Sequence, residues 1–392
     1  MTLTLIKCQL IFVLFTWISC SNNPDIGLNF GETTQLHGYP FEEHFVTTSD
    51  GYILRLFRIP NGLNGTFIEG RPAVLLQHGL YELSDCYIIR GTNLSLGFYL
   101  ANQGYDVWAA NTRGNLYSRN HTTLDPNTSP EFWDFSFPEL INDHQANIEY
   151  ILNQTGLDSI SLIAMSAGGT SMFMSLFNQN EWFSRRLNLF ISMSQLTRLD
   201  NIVGFPAIGL NSSLPWHILR QMNINELSNY NSLTRGMQSL MWLTFPVLWD
   251  ITTSFFQFTN AFNDNVEAAA TFATKIPSGS SIKSFEHFSQ IRESRRFQDF
   301  DYGPTENMNR YGSITPPEFD LSRISGIPIA VLFGSLDNEN TYLDREWFME
   351  QINDVVVFNR TYLNYAHFDF YVAQRPEIYL EDIQRLLEQY SQ

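Results

Sequence analysis

Cysteine is nearly missing from this chain of 392 residues, which has only three. Cys8, Cys20 and Cys86 cannot build a disulfide framework, and they show no zinc-binding spacing. Positive charge is scarce too: 23 Lys and Arg stand against 40 Asp and Glu, a net charge of −17. A surface of that sign repels phosphate backbones, which excludes nucleic acid as a partner. Charged residues of both signs make up only 16% of the chain, where roughly 25% is usual in soluble domains. Internal repeats and low-complexity segments are absent as well. What the chain holds instead is apolar material, 44% hydrophobic residues and 15% aromatic. That is enough to bury a large core, so a disordered chain is excluded. The length fits a single α/β enzyme carrying an insertion.

The first residues run from Met1 to Lys7, then through an apolar stretch from Leu10 to Ile18, to Ser19-Cys20-Ser21. A short basic region, a hydrophobic centre and small residues read as a signal peptide over residues 1–20, cleaved near Cys20. The competing reading is an uncleaved anchor, but the run is shorter than the roughly 20 residues a spanning helix needs. Cleavage leaves Cys86 alone, and a buried thiol is expected there rather than a reactive one. Asn64, Asn93, Asn120, Asn153, Asn211 and Asn359 each open an acceptor triplet for N-glycosylation. Asn127 does too, weakened by Pro130. Together these features predict a glycoprotein that is secreted or lysosomal. The final Tyr390-Ser391-Gln392 carries no retention signal.

Phe45 to Pro60 reads as a hairpin, with β-rich residues on both sides of the turn dipeptide Asp50-Gly51. Six apolar runs then read as buried strands, at 73–77, 105–109, 160–164, 189–192, 327–333 and 355–358. Near-helical spacing joins Leu140, His144, Ile148 and Ile151 within Phe137–Asn153, and Ile378, Ile383, Leu386 and Leu387 within Pro376–Tyr390. Strands alternating with helices predict an α/β fold: a mostly parallel sheet covered by helices. The expected core takes residues 21–196 and 323–392. Between them, residues 197–322 break the alternation with aromatic-rich helical and loop stretches. Met241–Trp249 is nearly all apolar. It is either a buried helix of an ordinary core or part of an inserted cap and lid that presents greasy surface to a substrate.

The segment from Ile160 through Ser166 to Gly168 carries the chemistry. An apolar strand runs into Ser166, and a helix with small residues starts directly after it. A nucleophile elbow turns so tightly that the positions two before and two after the serine must be nearly bare; here they are Ala164 and Gly168. A rival match around Ser95 has no strand before it and a bulky Asn93 at the critical place. A serine needs a base, and of the eight histidines only His217, His287 and His367 follow Ser166. His367 comes after a strand-like segment and before the last helix, where the Ser, acid, His order of an α/β-hydrolase sheet places the base. Asp337, in the loop that ends 327–333, is the expected acid that holds the imidazole tautomer; Asp369 is its rival. The expected oxyanion donors are the backbone N–H groups of Ala167 and of Leu80. His78 is assigned an orienting or structural part.

These residues stand in a framework that resembles the acid lipase family, the gastric and lysosomal lipases and their relatives. The resemblance covers most of the mature chain. It runs through Gly38–Pro40, Thr48–Leu54, Leu76–Leu80, Gly104–Trp108, Asn111–Asn115, Ser118–His121, Phe132–Ser136, Phe297–Tyr302, Asn307–Tyr311 and Asn364–Asp369, in that order. It implies an α/β hydrolase with a cap and lid that hydrolyses carboxylic esters of lipids, triacylglycerols or steryl esters, at a lipid–water interface. Transient contact with a membrane or droplet surface would accompany that activity. Carried over, Ser166, Asp337 and His367 match the triad, and Leu80 and Ala167 the oxyanion donors; no metal or organic cofactor is implied. Two features depart from the family. Its elbow usually reads Gly-His-Ser-Gln-Gly, here Ala164-Met165-Ser166-Ala167-Gly168, and the cap region lacks the cysteines that some relatives pair there. The alternatives to a lipase are a catalytically silent lipid-binding protein on the same fold and an esterase for small soluble esters.

Overall fold

The computed structural model describes residues 23–63, 65, 70–227, 259–260 and 263–391. The segment read as a signal peptide, the run Met241–Trp249 and Asn64 lie outside the described residues. The chain enters the main sheet through β1 (Glu42–Thr47), β2 (Ile53–Ile59), β3 (Ala73–Gln77), β4 (Asp106–Ala110), β5 (Ile160–Met165) and β6 (Leu187–Met193). Two short strands follow, β7 (Glu226–Leu227) and β8 (Ser280–Ser281), which pair with each other in a separate two-stranded sheet. Then β9 (Ile329–Gly334) and β10 (Val356–Tyr362) complete an 8-stranded sheet in the order β1-β2-β4-β3-β5-β6-β9-β10. Only β2 runs against its neighbours; the remaining pairs are parallel. The hairpin read around Asp50-Gly51 is β1 and β2, with Thr47 opposite Ile53 and Gly51 at φ 99°, a value that suits glycine.

The alternation of side chains along each inner strand feeds two cores. Ile163 and Met165 of β5 point to one face, with Leu189, Ile191 and Met193 of β6 and Ala330 and Leu332 of β9. Helices α1 (Leu96–Asn102) and α6 (Glu377–Tyr390) cover that face through Phe98, Leu100, Ile383 and Leu387. Leu162 and Ala164 point to the other, under α2 (Ile141–Thr155) and α3 (Ala167–Ser184), which contribute Ile148, Ile151, Phe173 and Leu176. Burial on both faces is why these strands are continuous apolar runs in the sequence. Each large side chain so buried contributes roughly 1.5–3 kcal/mol.

One polar tie fixes the loop after β4. Arg113 is buried and donates from its backbone and Nε to Asp143 of α2, and from both terminal nitrogens to Asp50 of the hairpin turn, at 2.6–3.0 Å. Between β6 and β9 the described residues add no strand to the main sheet. Helices α4 (Leu214–Gln221) and α5 (Ile282–Ser294) belong to this stretch and pack together. No helix among the described residues is long and apolar enough to cross a membrane.

Candidate active site

The parallel strands deliver their carboxyl ends to one edge of the sheet, where polar groups from distant parts of the chain can meet. At the end of β5 the chain reverses at Ser166, with φ 52° and ψ −126°. Such a backbone costs roughly 1–3 kcal/mol. It is held by the bond from Ser166 N–H to Met193 O, 2.8 Å, on the neighbouring strand. Helix α3 begins at the next residue. The turn is tight enough that a Cβ on Gly168 would lie 2.5 Å from His78 O, so only glycine fits there. The side chain of Met165 points away from the turn into the core beneath α6.

His367 sits in the loop after β10, buried, with its ring between the other two groups. Nε2 lies 2.8 Å from Ser166 Oγ, and Nδ1 lies 3.0 Å from Asp337 Oδ2. The other oxygen of Asp337 accepts from the backbone N–H groups of Glu339 and Asn340, each at 2.9 Å. Those two donors fix the carboxylate in the loop after β9. Burial pushes the Asp337 carboxyl up, but the charge of His367, the hydrogen bond from its ring and those from the backbone hold it below the usual range. With Asp337 ionised the ring proton belongs on Nδ1, leaving Nε2 free to accept from the serine hydroxyl.

The expected oxyanion residues adjoin this group. Ala167 N–H is among the first amides of α3, which have no partner within the helix. A Cβ on Gly79 would lie 2.9 Å from Ser166 Cβ, so the loop leading into Leu80 runs against the serine. Leu80 and Ala167 both line a cavity of ≈ 20 Å³, room for one water-sized molecule. His78 is fixed behind them. Its Nδ1 donates to Gly79 O at 2.7 Å, and Nε2 accepts from Thr112 N–H and Asn115 Nδ2, both at 3.1 Å. Burial pulls its pKa down to about 4, so the ring is neutral and tied at both nitrogens. Asp369 stands elsewhere: its carboxylate accepts from Ala366 N–H, Asn260 N–H and Asn263 Nδ2 and makes no hydrogen bond to His367. His217 bonds Glu286, and His287 bonds Ser136 and Gln298 O, both away from the serine.

Two carboxyl groups at the site carry no motif in the sequence. Glu82 is buried and accepts through Oε2 from Gly79 N–H at 2.8 Å and from Tyr371 O–H at 2.7 Å. It thus clips the Leu80 loop to the segment that follows His367. Burial pushes Glu82 up to about 7, against the lowering effect of those two donors and of His367. Glu339 is the second, with Oε2 3.9 Å from His367 Nε2; burial, the largest influence on it, raises its pKa. Burial alone would pull the His367 ring down, but Asp337, Glu339 and Glu82 outweigh it and push the ring up to about 10. These carboxyl groups favour the charged ring, the imidazolium that forms when Nε2 takes the serine proton. His367, Asp337, Glu339 and Glu82 influence one another's protonation, so the cluster titrates as a unit. Outside the site, Cys86 is buried, which raises its thiol pKa well above the ordinary value and makes it inert.

A serine hydroxyl at the turn after β5, with an imidazole and a carboxylate from the loops after β10 and β9, is the arrangement of an α/β-hydrolase. Residues 30–91 match the family model of a partial alpha/beta-hydrolase lipase region, and residues 72–180 that of the alpha/beta hydrolase fold. Among solved structures, a thermophilic esterase from Thermogutta terrifontis superposes with a TM-score of 0.52 at 14% identity, covering 90% of this chain and 100% of that one. The chain is 32% identical to gastric triacylglycerol lipase of Rattus norvegicus, over 93% of each protein. It is 31% identical to lysosomal acid lipase/cholesteryl ester hydrolase of Macaca fascicularis, over 94% of this chain and 93% of the other. Lipase member K of Homo sapiens is also 31% identical, with the same coverage. The chain belongs to the acid lipase family and is a carboxylic ester hydrolase.

Proposed function

We propose that Ser166, His367 and Asp337 are the catalytic triad of a secreted or lysosomal lipase that cleaves fatty acyl esters at a lipid–water interface. The observation that carries the reading is the unbroken relay from Ser166 Oγ to His367 Nε2 at 2.8 Å and from Nδ1 to Asp337 at 3.0 Å. His367 takes the hydroxyl proton as Ser166 attacks the ester carbonyl. The tetrahedral oxyanion rests on the N–H groups of Leu80 and Ala167. Collapse breaks the bond to the alcohol, which leaves with the proton from Nε2, and water then releases the fatty acid by the same steps.

Contact with lipid is supported by α4 and its flanks. Leu214, Ile218 and Met222 recur at four-residue spacing and are 60%, 48% and 65% exposed, with Ile208 and Ile224 exposed nearby. An apolar stripe left facing water suits a greasy surface better than a small soluble ester. Export is supported by the acceptor asparagines, of which Asn93, Asn120, Asn127, Asn153, Asn211 and Asn359 are all exposed. The silent-binder reading draws on the altered elbow, yet Met165 is turned into the core and the bare position at Gly168 is kept. A serine-directed fluorophosphonate should label the protein at Ser166. Ser166→Ala should abolish labelling and lower kcat on an emulsified ester by about 10⁶-fold. An unlabelled protein, or a variant that keeps turning over, would refute the assignment.

A further inference from the structure

Glu339 lies two residues beyond Asp337, and 9% of it is exposed. Its own N–H donates to Asp337 Oδ1, so the turn that orients the acid also fixes where Glu339 begins. Its side chain reaches over the imidazole: Oε2 is 3.9 Å from Nε2, the nitrogen that faces Ser166 Oγ. The second oxygen, Oε1, has no hydrogen-bond partner among the described residues. A buried carboxylate oxygen without a donor is costly, and none of the steps of acyl transfer uses it. The titratable groups around it are His367, Asp337, Glu82 and Tyr81.

The position of Oε2 relative to Nε2 says what could pair with this carboxylate. When the tetrahedral intermediate collapses, the departing alcohol oxygen takes its proton from Nε2 and therefore sits within hydrogen-bond reach of it. A hydroxyl on the next carbon of the same alcohol lies beside the departing oxygen, on a path to a carboxylate 3.9 Å from that nitrogen. A simple alkyl alcohol, a sterol or a fully acylated glycerol has no donor to offer there. We infer that Glu339 is a specificity-determining residue that accepts a hydrogen bond from a free hydroxyl adjacent to the scissile oxygen, so that this enzyme favours lipid esters of vicinal diols, partially acylated polyols among them. The inference rests on the triad reading, because it places the leaving group by Nε2. Sites built to bond a substrate hydroxyl discriminate against analogues that lack it, since their buried polar groups are then left unpaired.

The test uses two octanoate esters of matched size on the full chain: 2-hydroxyethyl octanoate and n-propyl octanoate, in which a methyl group replaces the hydroxyl. Both kcat/KM values are divided by the rate of each ester in hydroxide alone, which removes intrinsic reactivity. The corrected ratio should favour the hydroxyethyl ester about tenfold, the worth of one buried hydrogen bond. Glu339→Leu should bring the ratio close to one, and Glu339→Gln, which keeps an acceptor, should retain part of the preference. A wild-type ratio near one with both esters hydrolysed would overturn the role of Glu339 and leave the triad standing. So would a preference that survives in Glu339→Leu. Hydrolysis of neither ester, with no fluorophosphonate labelling at Ser166, would overturn the triad reading and this inference with it.

Discussion

Replacing Glu82 by Gln tests the acidic cluster around the imidazole through two separate readouts. Gln is the neutral isostere of the protonated acid and keeps a carbonyl oxygen to accept from Gly79 N–H and Tyr371 O–H. The acid titrates from an ordinary 4.5 up to about 7 in the fold, chiefly because it is buried. It faces Tyr371, His367, Glu339, Tyr81, Tyr87 and Cys86, of which only His367 supplies positive charge. A folded value above the unfolded one means that the contribution of Glu82 to wild-type stability is fully present below about pH 4.5. It declines as pH rises towards 7 and is flat beyond. The shift corresponds to a loss on the order of 3 kcal/mol. Glu82→Gln does not titrate, so its advantage in urea unfolding should be small at pH 4.5 and should open by about that amount at pH 8. The second readout is the rate. Removing a negative neighbour lowers the His367 pKa, so the acid limb of kcat/KM should move to lower pH in the variant. A stability difference equal at the two pH values, together with an unmoved acid limb, would refute the reasoning.

Asp337→Asn should keep the backbone bonds from Glu339 and Asn340 on its oxygen and turn an N–H towards His367 Nδ1. That forces the ring proton onto Nε2, and kcat should fall by about 10⁴-fold with little change in KM, measured on a short-chain ester. Gly168→Ala should cost about 1–3 kcal/mol in denaturant unfolding, because its methyl group meets the carbonyl of His78. It should lower kcat as well, since the displaced strand end carries the loop to Leu80.

Much of the architecture could be read directly from the sequence because burial on two faces leaves an unmistakable trace. The runs at 73–77 and 160–164 became β3 and β5 almost residue for residue, and α2 and α6 fell on the spaced apolar positions. The outer strand β10 runs on past Phe358 to Tyr362 because an edge strand half open to solvent tolerates Asn359, Arg360 and Thr361, which break the apolar pattern. Ser166, His367 and Asp337 were visible because a tight turn and the chain order constrain residue type at known offsets. Glu82 and Glu339 were not. Both lie in irregular loops without periodicity, and what defines them is contact across the fold, such as Glu82 with Tyr371, 289 positions away. A carboxylate in a loop reads as solvated until the tertiary structure buries it.

The seam between β6 and β9 has a wider consequence. The chain leaves the sheet at Met193 and returns in the adjacent lane at Ile329, with Phe190 beside Ile329 and Met193 beside Leu332. A detour whose two ends are zipped together can lengthen, shorten or be exchanged without altering the span between the hydroxyl on one bank and the imidazole on the other. The spacing of Ser166 Oγ and His367 Nε2 is thereby set by the sheet and not by the length of chain between Met193 and Ile329.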